Sequence, residues 1–143
     1  MSTTNIPAIF VLFRKDNKIL LVLRQKTGWK DNHYTMPAGH VEDRESFRQA
    51  AVRESLEEVG LTIEPNDLKH RLTLHEIKPG EVRIGMTFEA AKWQGNPYNA
   101  EPHIHGEVAW FNLDDLPKNM VPQALFSLEQ IKAGKTYAEF GWH

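Results

Sequence analysis

The chain has 143 residues, 41% of them apolar and 25% charged, with a formal net charge of −2 and no cysteine. That length suits one domain, spanning residues 1–143, with a core of its own. The missing thiols exclude disulfides, thiolate-bound zinc, iron–sulfur clusters and cysteine nucleophiles, and fit a reducing compartment. The near-balanced charge gives no global attraction for nucleic acid, so no stable nucleic-acid partner is expected. Met1–Ile6 carries no basic region, and the apolar run Ile9–Phe13 ends at Arg14 and Lys15, far too short for a bilayer. The expectation is a cytoplasmic protein without a signal peptide or membrane contact.

Ile6–Phe13 and Lys18–Arg24 are apolar, β-branched runs and predict a buried hairpin turning at Asp16-Asn17. Thr27–Tyr34, with Gly28, reads as a polar loop, and Met36–Gly39 as a short strand end before a turn. Ser46–Val59 is the clearest helix: Ser46 with Gln49 forms a capping-box pattern, and Gly60 suits the stop. Leu68–Ile77 and Glu81–Trp93 predict two strands joined at Lys78-Pro79-Gly80. Glu107–Phe111 predicts another strand, and Pro122–Ala133 a second helix stopped by Gly134. Strands, helix, strands, helix in one short chain predict a mixed sheet covered by helices.

At about 100° per residue, Val52, Leu56 and Val59 share an arc expected to face the core. Glu54, Glu57 and Glu58 fall on a separate arc at i, i+3, i+4 spacing. Such like charges repel on an exposed helix, and their arc continues into Phe47, Ala50 and Ala51 rather than polar residues. A solvated acidic face and a metal site are both open readings. Carboxylate oxygens without sulfur favour a hard cation, Mg²⁺ or Mn²⁺, bound together with substrate phosphates.

The stretch Gly39–Leu61 resembles the Nudix box, G-x5-E-x7-R-E-U-x-E-E-x-G-U with U a bulky aliphatic. Gly39, Glu45, Arg53, Glu54, Glu57, Glu58, Gly60 and Leu61 match in register. Ser55 is the departure, standing where an aliphatic is usual; on the wheel it borders the apolar arc. Arg24, the segment Trp93–Pro97 with Glu101, and Trp110-Phe111 before Leu113–Pro117 extend the resemblance towards MutT-like members. It implies an α/β fold, the Nudix-type α/β/α sandwich with a mixed β-sheet flanked by helices. It implies a pyrophosphohydrolase acting on a nucleoside diphosphate linked to another group, with Mg²⁺ (or Mn²⁺) as cofactor. The first expectation is a nucleoside triphosphate, oxidised or not, cleaved to the monophosphate and pyrophosphate. ADP-ribose or a dinucleoside polyphosphate is the alternative, and a non-catalytic nucleotide-sensing module is an alternative of another class. The isomerase branch of this fold needs a catalytic cysteine and is excluded.

The resemblance further implies catalytic roles for Glu54, Glu57 and Arg53. Metal contacts are expected from Glu54, Glu57, Glu58, the Gly39 carbonyl and Glu101, with Glu107 a competitor to Glu101. Glu54 is the favoured base for the attacking water. Arg53 is expected to pair with Glu57 or Glu45, and Gly39 to adopt a loop conformation closed to other residues. Substrate contacts are assigned to Arg24, His40 and Glu45, each with a purely structural alternative. His103 and His105 read as exposed loop histidines. Of Trp29, Tyr34, Trp93, Tyr98 and Trp110, one or two are expected in the pocket. The partner is a small-molecule nucleotide; a homodimer is left open.

Overall fold

The computed structural model describes residues 4–142. The expectations for the first three residues and the last lie outside the described residues. Eight strands form one mixed sheet: β1 (Thr4–Lys15), β2 (Lys18–Arg24), β3 (Tyr34–Thr35), β4 (Ala38–His40), β5 (Leu68–Lys78), β6 (Glu81–Ala90), β7 (His105–Asn112) and β8 (Tyr137–Phe140). Among the described residues, two α-helices, α1 (Phe47–Val59) and α2 (Pro122–Lys132), and a short 3-10 turn at Pro65–Asp67 complete it.

Side-chain alternation along the strands places the layers. Ile9, Val11 and Phe13 of β1 and Leu20 and Val22 of β2 share a core with Ala50, Ala51 and Val59 of α1. The intervening Leu12, Ile19 and Leu21 share another with Ala124, Leu128 and Ile131 of α2. The helices therefore flank opposite faces of a mixed sheet, as the sequence implied.

β1 runs parallel to β6 from Thr4↔Glu81 to Phe13↔Ala90. Its other edge divides. It pairs with β2 only beside the Asp16-Asn17 turn, at Arg14↔Ile19 and Lys15↔Lys18. Farther along, β1 pairs with β4 through Ala8–Phe10, while β2 pairs with β3 and β7. The two strands part like a wedge, and the candidate site occupies the opening.

The capping box forms as read: Gln49 N–H donates to Ser46 Oγ at 3.1 Å, and Ser46 N–H to Gln49 Oε1 at 2.9 Å. Ser46→Ala should lower stability by about 1 kcal/mol, measurable by urea unfolding. The helix stops at Gly60, whose φ of 69° is left-handed.

Three sequence expectations need correction. Leu56 is 55% exposed, whereas Ala50, Ala51, Ser55 and Glu58 are buried. The docked face is turned by roughly a quarter-turn towards the glutamates. Small side chains let the helix approach the sheet closely, and Ser55 Oγ is satisfied by donating to the Ala51 carbonyl at 2.7 Å. The strand predicted to Trp93 ends at Ala90. Trp93 instead leaves the sheet, stacks on Trp110 at 5.8 Å and meets Phe13 edge-on at 5.5 Å. Finally, β8 was not foreseen; four residues carry too little alternation to announce a strand.

Candidate active site

Arg53 gathers the acids of the wedge. Its Nε and Nη2 donate to the two Glu45 oxygens at 2.7 and 3.0 Å. Its Nη1 donates to Glu54 at 2.6 Å and Glu57 at 3.2 Å, and Nη2 also reaches the His40 carbonyl at 3.1 Å. Both sequence alternatives for Arg53, Glu45 and Glu57, are thus realised at once. This fork geometry orients three carboxylates from one guanidinium. The Arg53 bond holds Glu45 below the ordinary carboxylate value, against a smaller opposing effect of burial. A carboxylate with a depressed native pKa stabilises the fold above its unfolded value of 4.5, and that contribution fades as pH falls through the native value. Glu45→Gln should therefore cost stability near neutrality, and the gap to the unmodified protein should close on acidification below pH 4.5. Thermal melting across pH checks this.

Gly39 lies in β4, and its φ is not in the left-handed region, contrary to the expected loop conformation. It is required by proximity: a Cβ there would collide with the Glu54 carboxyl group. The Glu54 carboxyl group in turn lies against that of Glu58. Glu58 is 4% exposed and accepts the Ala38 N–H at 3.2 Å. Burial pushes Glu58 well up, the Glu54 and Glu101 charges add to the rise, and the Ala38 N–H opposes it.

The loop after Trp93 docks on the end of α1. Tyr98 N–H donates to the Val59 carbonyl and Ala100 N–H to the Glu58 carbonyl, each at 3.1 Å. These are carbonyls that a helix end leaves unpaired. The docking brings Glu101 beside Glu58. One turn later His105 N–H donates to the Glu101 carbonyl at 2.9 Å. His105 was expected in an exposed loop; it is only 5% exposed and opens β7. His103 is exposed, as expected. Burial first, then the charge of Arg24, lowers the His105 pKa and favours the neutral ring. Burial likewise raises Glu101, with Glu54 and Glu57 adding to it. Glu107 stands apart, accepting the Tyr34 hydroxyl at 3.2 Å.

One oxygen each of Glu58 and Glu101 and one ring nitrogen of His105 lie within 4.8 Å of one another. Two ligands of one cation at roughly 2.1–2.6 Å can be at most about 5 Å apart. Glu58 and His105 are buried and Glu101 is half-buried, and His105 Nδ1 has no hydrogen-bond partner. These residues fit a divalent cation. Glu54 adjoins the group through Glu58, and Glu57, 48% exposed, borders it from the Arg53 side.

A cavity of about 270 Å³ lies on the other side of β4. Ala38, Gly39 and His40 form one wall, and Arg24 and Trp29 also line it. Arg24 Nε donates to the Trp29 carbonyl at 2.8 Å, and its guanidinium lies 5.0 Å from the Trp29 ring centre. Burial lowers the pKa of both Arg24 and His40. Of the aromatics considered, only Trp29 lines this cavity; Trp93 and Trp110 pack against the α1 core. Sequence reasoning missed Glu76 and Gln123. Gln123 Nε2 donates to the 5%-exposed Glu76 at 2.7 Å, leaving its own buried Oε1 unpartnered. The signal existed: Leu72, Leu74 and Glu76 alternate, so an acid occupies an inward position.

A NUDIX domain profile matches residues 4–131. The chain belongs to the NUDIX family. It is 33% identical over 112 residues to the NAD-capped RNA hydrolase NudC of Escherichia coli O157:H7, covering 78% of this chain and 40% of that protein. The chain thus spans well under half the length of the curated NudC relatives it matches. The crystal structure of a MutT NUDIX hydrolase from Burkholderia pseudomallei superposes with a TM-score of 0.81 at 28% identity, over 89% of this chain and 98% of the other. The E. coli ORF135 protein has the same fold, with a TM-score of 0.77 at 23% identity over 92% and 91% of the two chains. The Nudix hydrolase assignment is borne out at the level of family and fold. Ser55, the departure from the Nudix box, sits within the buried face of α1 rather than at its border. Among the described residues no helix is long and apolar enough to cross a membrane.

Proposed function

We propose that this Nudix protein is a cation-dependent pyrophosphohydrolase, with a nucleoside triphosphate as first substrate class and the monophosphate and pyrophosphate as products. The carrying observation is the double use of β4. Ala38 and Gly39 wall the cavity, while the same residues hold Glu58 and Glu54 on the carboxylate side. A nucleoside seated in the cavity would extend its phosphates along this strand towards the acids.

When bound at the acidic group, Mg²⁺ or Mn²⁺ neutralises phosphate charge and makes water a better nucleophile. Glu57, Glu58 and Glu101 would supply its oxygen ligands. Glu54, fixed by Gly39 and Arg53, accepts the proton of the attacking water. The water oxygen bonds to phosphorus, the bridging P–O bond breaks, and pyrophosphate leaves. Arg53 and Glu45 position Glu54 and Glu57. Arg24 and His40 meet the substrate at the cavity, with Trp29 available to stack on a base.

The volume, near the lower end of roughly 300–1,000 Å³ for ligand pockets, suits one nucleoside half of a substrate. A second reading is favoured by the E. coli relative named for NAD-capped RNA: a dinucleotide such as NAD, cleaved at its pyrophosphate. A panel of ribo- and deoxynucleoside triphosphates, ADP-ribose, NAD and dinucleoside polyphosphates, with Mg²⁺ or Mn²⁺, separates them. Fastest turnover on triphosphates with pyrophosphate release is expected. Preference for NAD moves the assignment to the second reading, and tight binding without turnover to a nucleotide sensor. We read residues 1–143 as one domain, working in the cytoplasm on small nucleotides.

A further inference from the structure

The Nudix box accounts for carboxylates, yet the acidic group contains a nitrogen that lies outside the box. His105 is 5% exposed, its Nδ1 is buried without a partner, and its Nε2 stands 3.8 Å from Glu58 Oε1. That separation is too long for a hydrogen bond. A buried imidazole normally makes its hydrogen bonds, and leaving them unmade is costly. Here the ring is held in place regardless: its backbone N–H is bound to Glu101 and its carbonyl accepts the Asn99 side chain at 2.9 Å. The same Asn99 accepts the Glu101 N–H at 3.2 Å. Glu101 and His105 are therefore presented as a pair by one compact turn, and that turn is docked on the end of α1 beside Glu58.

We propose that His105 is a nitrogen ligand of the cation held by Glu58 and Glu101, and that it biases this site towards a first-row transition ion such as Mn²⁺ or Co²⁺ over Mg²⁺. Imidazole suits transition ions, whereas Mg²⁺ prefers oxygen ligands and sheds its waters reluctantly. One cation between the three groups would take a lone pair of the His105 ring and offset the two carboxylate charges together. The inference rests on the cation site of the proposed function. Its test uses no substrate, so its failure leaves the hydrolysis assignment standing, and an inactive protein leaves the test intact.

The full chain, freed of metal and then loaded with Mn²⁺ alone, is examined by pulsed electron paramagnetic resonance. A ¹⁴N coupling typical of a bound imidazole is expected, and it should persist in His40→Gln and His103→Gln. Calorimetric titration with Co²⁺ and with Mg²⁺ gives the second readout. His105→Gln should weaken Co²⁺ by roughly tenfold or more while Mg²⁺ changes little. Absence of the ¹⁴N coupling in the unmodified protein overturns the proposal, as does its loss in His40→Gln or His103→Gln. Equal Co²⁺ affinity in folded His105→Gln overturns it too. Should His105→Gln fail to fold, the coupling in the other three proteins decides alone.

Discussion

Glu54→Gln is expected to lower kcat by roughly 10²–10⁴-fold, the usual range for removing a general base, with little change in KM. The amide keeps the shape of the side chain but cannot take a proton from water. The fold should survive, because Arg53 retains Glu45 and Glu57 and because the amide fills the same space beside Gly39 as the carboxyl group. Steady-state kinetics on the best substrate of the panel, with circular dichroism of the same sample, makes the check. Activity within a few-fold of the unmodified protein would remove Glu54 as the base and leave Glu57 as the first replacement.

Gly39→Ala should produce a comparable loss by a different route. The added methyl would enter the space of the Glu54 carboxyl group, the mobile end of a side chain, and no left-handed backbone is involved. The backbone can therefore stay while the carboxyl group moves. A displacement of about 1 Å at a reacting group can cost on the order of 10²-fold in rate. The expected signature is a fall in kcat with a melting temperature close to that of the unmodified protein. A large drop in melting temperature would place the role of Gly39 in the fold instead.

Much of the fold could be read from local pattern. The hairpin, both helices and the capping box depend on neighbours in sequence, and alternation along β1 and β2 already sorts their residues between two faces. The rotation of α1 could not be read this way. Hydropathy favoured Val52, Leu56 and Val59, but close approach to the sheet favoured the small residues Ala50, Ala51 and Ser55, and packing distance leaves no trace in a hydrophobic wheel. The box located the acids Glu54, Glu57 and Glu58 and their partner Arg53 because their spacing is local. His105 was misplaced because its neighbours are Glu58 and Glu101, brought together by a loop bound to helix carbonyls that no sequence pattern marks. Gly39 was identified for the wrong physical reason, since only coordinates distinguish a crowded glycine from a twisted one.

The forked course of β1 has a consequence for how the protein comes apart. Alternate residues of this one strand belong to the two cores on opposite faces, and its edges bond to β6, β4 and β2. Neither helical layer can open fully without exposing side chains of the strand it shares with the other. The two cores should accordingly melt as a single cooperative unit, with the amides of Ile9–Phe13 exchanging with solvent only through global unfolding.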